Sequence, residues 1–291
     1  MDAMNQWEKN EVRFFRVMTA LALSLMGVCL VATLIVGITS RASETPPEPD
    51  VQPSETEEFA NPTNGEPTDA TDRLLGETAD MGEGYIDRMI FVGESTTAHL
   101  RSRGVLRDGQ ATEQVWSDSS GTMTLDLNVL QKTINYPGTG RPMTIAAAVE
   151  VAKPQYLVLS FGVNGIVGFS RNEALYERAY GKLIDAIHAA SPDTVVMLQT
   201  VYPVATNQTA FSEGATIING YVRRRNEQLL DIAQAHDAYV VNTASVLCDS
   251  AGNLKAEYQT GDGIHLTAEA YRRILQYLRT HGYEGKEGDA T

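Results

Sequence analysis

Met89-Ile90-Phe91-Val92-Gly93-Glu94-Ser95-Thr96 reads as a short apolar strand that ends on a glycine, turns, and passes straight into a helix. Four consecutive apolar residues suit a strand covered on both faces. Gly93 permits a tight turn. With a helix expected near Thr97–Ser102, Ser95 falls at the strand-to-helix junction. There its backbone N–H and the positive end of the helix face any negative charge that develops beside it.

The same grammar repeats downstream. Strand-like Gln114–Ser117, Tyr156–Phe161, Thr194–Val201 and Tyr239–Asn242 alternate with helix-like Thr144–Ala152, Asn172–Ala189, Gly214–Ala235 and Thr267–Leu278. Such alternation predicts an α/β fold, with a mostly parallel sheet covered by helices on both faces. Ligands of open parallel sheets bind at the carboxyl ends of the strands. Ser95 follows one strand, Asn164 follows another, and Asp262 lies beyond the last.

The final helix is well specified. Thr267 is its N-cap, Glu269 lies in its first turn, and Tyr271, Ile274, Leu275 and Leu278 form its buried stripe. Just before it runs Gly261-Asp262-Gly263-Ile264-His265-Leu266. A serine hydroxyl is a poor nucleophile at neutral pH and needs an imidazole to take its proton. An acid three residues ahead of that histidine can accept from Nδ1–H, fix the tautomer and leave Nε2 free as base. Ser95, Asp262 and His265 therefore read as nucleophile, orienter and base of a serine hydrolase.

These residues resemble the SGNH or GDSL hydrolase family, whose blocks appear in order as Gly93-Glu94-Ser95, Gly121, Gly162-Val163-Asn164-Gly165 and Asp262-x-x-His265. The likeness spans roughly Met81 to Thr280. It implies the SGNH hydrolase fold, a flavodoxin-like three-layer α/β/α sandwich. It also implies a triad of Ser95, Asp262 and His265. The Ser95 N–H, the Gly121 N–H and the Asn164 side-chain amide would form the oxyanion hole, with Gly93, Glu94 and Gly162 in support. The sequence departs from the family at Glu94 and Gly165, each standing where an Asp is usual. Both positions mainly support loop geometry.

Rival histidines have plainer readings. Asp185-Ala186-Ile187-His188 repeats the Asp-x-x-His spacing, but within a segment whose Tyr176, Tyr180, Leu183, Ile184 and Ile187 recur at helical spacing. It is expected to be a solvated i,i+3 pair. His99 is expected on a helix surface without an acid partner. His236 and His281 fall near helix ends, where a cation is favoured.

Ahead of the domain the composition changes twice. Val17–Ile38 is uncharged, mostly apolar and long enough to span a membrane. Lys9, Arg13 and Arg16 precede it, so the positive-inside rule puts residues 1–16 in the cytoplasm and the bulk of the chain outside. The competing reading, a cleaved signal peptide, is disfavoured by the length of the run. Residues 39–80 read as an acidic, Pro-rich linker. From Ser43 to Asp80 it carries eleven Asp and Glu against one Arg, most of the chain's net −14. The hydrolase-like domain is expected over 81–283, with a flexible tail over 284–291. No basic stripe suggests a nucleic-acid partner. Cys29 and Cys248, far apart and in different segments, suggest neither a disulfide nor a metal site, and no cofactor is expected.

The reaction expected is acyl transfer through an acyl-enzyme on Ser95. An anchored, outward-facing domain suggests a small-molecule or carbohydrate ester of the cell envelope or surroundings, such as an O-acetyl group. Oligomeric state is open. So are three alternatives: an O-acyltransferase using the same triad, a lipid esterase, and an inactive hydrolase fold serving as a surface binding module.

Overall fold

Seven short strands are found among the described residues of the computed structural model, which describes residues 71–137 and 139–285: β1 (Met89–Gly93), β2 (Val115–Trp116), β3 (Thr133–Asn135), β4 (Pro142–Thr144), β5 (Tyr156–Ser160), β6 (Val195–Gln199) and β7 (Tyr239–Val241). Five form a wholly parallel sheet in the order β2-β1-β5-β6-β7, while β3 and β4 pair as an antiparallel hairpin. With the hairpin set aside, this is the flavodoxin-like order 2-1-3-4-5.

The strands are apolar on both faces because both are covered. Alternate residues Met89, Phe91, Tyr156, Val158, Met197 and Val241 pack with Tyr85 of α1 (Glu83–Ile86), Leu100 of α2 (Ser95–Ser102) and the stripe of the last helix. Their neighbours Val92, Leu157, Leu159, Val196, Leu198 and Val240 point the other way. They meet α3 (Ile145–Ala152) and, beyond α4 (Ile166–Arg171), the longer α5 (Glu173–Ala190) and α6 (Ala215–Ala235). The last helix, α7 (Ala268–Thr280), buries Tyr271, Ile274, Leu275 and Leu278 as its spacing requires, capped by the Thr267 hydroxyl. The result is the three-layer α/β/α sandwich.

Two asparagines of α6, seven residues apart and so on one helix face, pin the chain leaving β6. Asn226 holds Val201 through both N–H (2.7 Å) and C=O (3.0 Å), and Asn219 holds Val204 likewise at 2.8 and 2.9 Å. That segment then hydrogen-bonds the loop carrying His265, through Ala205 N–H to Gly263 C=O at 2.8 Å. Buried Tyr271 of α7 donates to the Thr96 carbonyl at 2.6 Å, tying the last helix to the turn bearing Ser95.

Several expectations are revised. Residues 71–80 were grouped with the linker on composition, yet Leu75 is buried and donates to Val240 C=O, while Arg73 pairs with Asp237 at 2.7 Å. The β3–β4 hairpin leaves little signal in the sequence, because Thr133-Ile134-Asn135 offers one apolar residue and β4 opens on Pro142. The segment over 172–189 is preceded by the separate α4, the chain breaking helical geometry at Asn172. Asp185 does not pair with His188. It bonds His236 Nδ1 at 2.7 Å, joining α5 to the end of α6. Val17–Ile38 with its flanks, Cys29, linker residues 39–70 and the end of the tail lie outside the described residues. Among the described residues no helix is long and apolar enough to cross a membrane, and Cys248 is a free thiol.

Tyr271→Phe should test the brace. It removes a buried hydrogen bond and should lower stability by about 1 kcal/mol, measured by urea unfolding; an unchanged midpoint would mean that the bond contributes nothing.

Candidate active site

The sheet order reverses between β1 and β5, and the crevice at their carboxyl ends is where such folds bind ligands. Gly93 closes β1 against β5 so tightly that a Cβ would sit 2.2 Å from the Ser160 carbonyl oxygen. No larger residue fits. Glu94 then takes extended backbone geometry and Ser95 begins α2. As the first helical residue, Ser95 has no intrahelical acceptor for its N–H.

Glu94 is 2% exposed, and its carboxylate reaches across the crevice to the loop after β5. Oε1 accepts from the Val163 N–H at 2.8 Å and Oε2 from the Asn164 N–H at 2.9 Å. Burial pushes this carboxyl up to about 7, against the pull of the Asn164, Val163 and Gly162 N–H groups. The longer side chain found where the family usually has Asp thus serves as a strut. Gly165 also has a physical reason. It caps α4 at φ +86, and a Cβ there would meet the Phe169 ring at 3.3 Å.

From the opposite side comes the loop before α7. Gln259 Oε1 accepts from the Gly261 and Gly263 N–H groups, and Thr260 N–H donates to His265 C=O at 2.9 Å. Within the closed loop Asp262 Oδ1 accepts from the Ile264 and His265 N–H groups at 3.0 and 2.9 Å. Its Oδ2 lies 2.5 Å from His265 Nδ1, and His265 Nε2 lies 3.1 Å from Ser95 Oγ. Partial burial raises the Asp262 carboxyl, but the bonds from the His265 ring and the two N–H groups outweigh it and bring the carboxyl to about 2. It is therefore ionised throughout the neutral range.

Asn164 completes one wall, half-buried, with Nδ2 making a long 3.4 Å bond to Met123 C=O. Gly121 is arranged otherwise than its implied role requires. Its N–H donates to Asp118 C=O at 3.2 Å within a turn, so it is already engaged. His99 is not the isolated surface residue expected one turn after Ser95. Its ring centroid lies 4.7 Å from that of His265, and its buried Nδ1 has no partner. Burial, then His265 and Arg103, hold His99 below its ordinary pKa, with Asp262 opposing.

Ser95, His265, Asn164, Val163, Phe211 and Ile264 are among the residues lining a cleft of about 560 Å³. Sequence reasoning had not reached Gln259, the strut role of Glu94, or Gln208. Gln208 accepts from the Phe211 N–H at 2.9 Å and donates to Glu213 C=O at 2.7 Å, shaping the loop that presents Phe211. Polar residues within loops carry no periodicity by which to recognise them.

This sheet, with its hydroxyl, imidazole and carboxylate arranged at the switch point, defines a protein of the SGNH hydrolase fold. The chain belongs to the GDSL-like lipase/acylhydrolase family, whose sequence model matches residues 91–273. No curated protein matches the sequence significantly. Among solved structures, a protein assigned as an SGNH hydrolase from Slackia heliotrinireducens is 15% identical, with a TM-score of 0.46, covering 67% of this chain and 98% of its own. A GDSL-like lipase from Bacteroides thetaiotaomicron is 15% identical, with a TM-score of 0.43 and coverage of 72% and 92%. A carbohydrate esterase family 3 protein from Talaromyces cellulolyticus is 18% identical, with a TM-score of 0.35 and coverage of 47% and 60%.

Glu94→Gln should expose the strut. An amide can accept from only one of the two N–H groups and turns its own NH₂ toward the other, so ester hydrolysis should fall about tenfold, equivalent to about 1.4 kcal/mol. Because the folded carboxyl is raised from 4.5 to about 7, its stabilising contribution is present below 4.5 and lost as pH rises through 7. The Tm of the wild type should therefore decline relative to that of the variant between pH 4.5 and 8. Parallel Tm–pH curves would show that Glu94 does not titrate in that range.

Proposed function

We propose that the protein is a serine esterase that cleaves short-chain O-acyl esters through an acyl-enzyme on Ser95. The observation that carries this reading is the continuous relay Ser95 Oγ, His265 Nε2, His265 Nδ1, Asp262 Oδ2, at 3.1 and 2.5 Å. His265 Nε2 takes the Ser95 proton as Oγ bonds to the ester carbonyl carbon, and Asp262 stabilises the imidazolium so formed. The carbonyl oxygen becomes an anion, met by the Ser95 N–H and the Asn164 side-chain amide. The Gly121 N–H joins them only by exchanging its Asp118 carbonyl for the oxyanion. Collapse breaks the ester C–O bond, and the alcohol leaves with the proton held on His265. Water then attacks the acyl carbon, giving its proton to His265, and the carboxylic acid departs as Ser95 Oγ regains a proton.

The apolar part of the cleft, with Val163, Ala210, Phe211 and Ile264, suits a small acyl group. The uncharged run Val17–Ile38 and the cations ahead of it support a domain over 71–283 tethered by residues 39–70 outside the cytoplasmic membrane, acting on esters of the envelope or its surroundings.

The test is hydrolysis of 4-nitrophenyl acetate and labelling by a serine-directed phosphonate. Ser95→Ala and His265→Ala should abolish turnover and, for Ser95→Ala, labelling. Asn164→Ala should lower kcat by about 10²–10³-fold while remaining folded. A wild type that neither turns over nor labels would replace the esterase reading with that of a binding module.

A further inference from the structure

Beside the reaction cleft lies a second groove of about 460 Å³, and Thr122 and Thr124 line both. Between them Met123 is 3% exposed, whereas Thr122 is exposed and Thr124 half-buried, so the two threonines reach the surface on either side of it. The two openings therefore share this strip, and they differ in chemistry. The reaction cleft carries the apolar groups already described. The groove is mostly polar, with Asp118, Ser119, Gln131, Lys132, Thr133 and Asn135 set against the apolar Met123 and Pro142.

The hairpin supplies one wall. In β3 only Ile134 is buried, and Thr133 and Asn135 project to solvent on the face that lines the groove. Neither the Gln131 nor the Asn135 side-chain amide is hydrogen-bonded to another described residue, and both are exposed. Each offers a carbonyl acceptor and two N–H donors. The charged groups here are already engaged. Lys132 pairs with Asp126 at 2.6 Å and also donates to the Thr124 carbonyl, so its cation is committed. Asp118 accepts from the Ser120 hydroxyl and from the Thr122 N–H. With one committed cation and one carboxylate, the groove offers nothing to a phosphate headgroup. Its polar lining is equally unsuited to an acyl chain.

Resting on the esterase reading above, we propose that the esterified alcohol is a hydroxyl-rich, uncharged carbohydrate chain. Its acyl group lies beside Phe211, its ester carbonyl stands at Ser95, and its further sugar units run over Thr122 and Thr124 into the groove. There Gln131, Thr133 and Asn135 hydrogen-bond ring hydroxyls. Arrays of neutral hydroxyls, each both donor and acceptor, match side-chain amides and hydroxyls rather than fixed charges.

The experiment compares the wild type with a Gln131→Ala/Asn135→Ala variant of the full chain, both checked for equal Tm. The substrates are 4-nitrophenyl acetate and a panel of O-acetylated xylo-, manno- and chito-oligosaccharides. The wild type should prefer at least one oligosaccharide over the matching acetylated monosaccharide. The variant's kcat/KM for that oligosaccharide should fall at least tenfold relative to its kcat/KM for 4-nitrophenyl acetate, chiefly through KM. Equal use of mono- and oligosaccharide esters, or an unchanged ratio in the variant, overturns the proposal and leaves the esterase reading intact. Titration of the same oligosaccharides into Ser95→Ala, with and without the groove substitutions, separates the two readings. Binding weakened by the groove substitutions without any Ser95-dependent hydrolysis upholds the groove and rejects the esterase. Binding indifferent to them rejects the groove whatever the turnover.

Discussion

The arrangement of this site depends on one buried carboxylate. Glu94 sits between the two strands where the sheet order reverses, and it holds the loop after β5 by the N–H groups of Val163 and Asn164. Burying a carboxyl is unfavourable unless its oxygens are satisfied. Here burial outweighs the hydrogen bonds, raising the carboxyl to about 7. The benefit is geometric. Adjacent residues on one turn are the strut and Ser95, so Asn164 is positioned relative to Ser95 through a single side chain. A shorter Asp at this position would have to draw the β5 loop closer or give up a bond.

Around that strut, three further connections converge on the crevice from different layers. Tyr271 ties α7 to the turn of Ser95, the two α6 asparagines hold the chain leaving β6, and Gln259 closes the loop of Asp262 and His265. Each is a polar side chain bonded to backbone, which suits loops whose peptide groups have no ladder to join. Packing of the two apolar faces supplies the stability, and these bonds place the loop ends to within hydrogen-bonding distance of one another.

That division explains what could be read from the chain alone. Buried strands announce themselves as continuous apolar runs and amphipathic helices by their period, so Met89–Gly93, Tyr156–Ser160 and the Thr267-capped α7 are legible nearly to the residue. The Asp262 and His265 pair was legible because its spacing is local. Long-range polar contacts leave no such trace. Asp185 shows this well: its neighbour in sequence, His188, suggested one partner, yet the helix face it occupies delivers it to His236 on α6 instead. The hairpin is illegible for a related reason, since one buried residue, Ile134, across two three-residue strands gives alternation nothing to repeat. Gly121 was placed by likeness of order, and its N–H turns out to be held by Asp118.

The electrostatics of the crevice show how two carboxylates near one serine are kept from interchangeable behaviour. Asp262 is partly open to solvent and accepts three hydrogen bonds, so it stays charged beside the imidazole ring. Glu94 is enclosed and directed at backbone N–H groups, away from His265. His99 contributes by what it does not carry. Packed against the His265 ring, a second cation would oppose any imidazolium forming there, and burial holds His99 toward its neutral form. In the proposed reaction, positive charge forming on His265 would therefore meet one fixed anion, Asp262, and a neutral ring on its other side. A base so flanked can gain and lose a proton without the surrounding groups rearranging, which is the condition preorganised electrostatic catalysis requires.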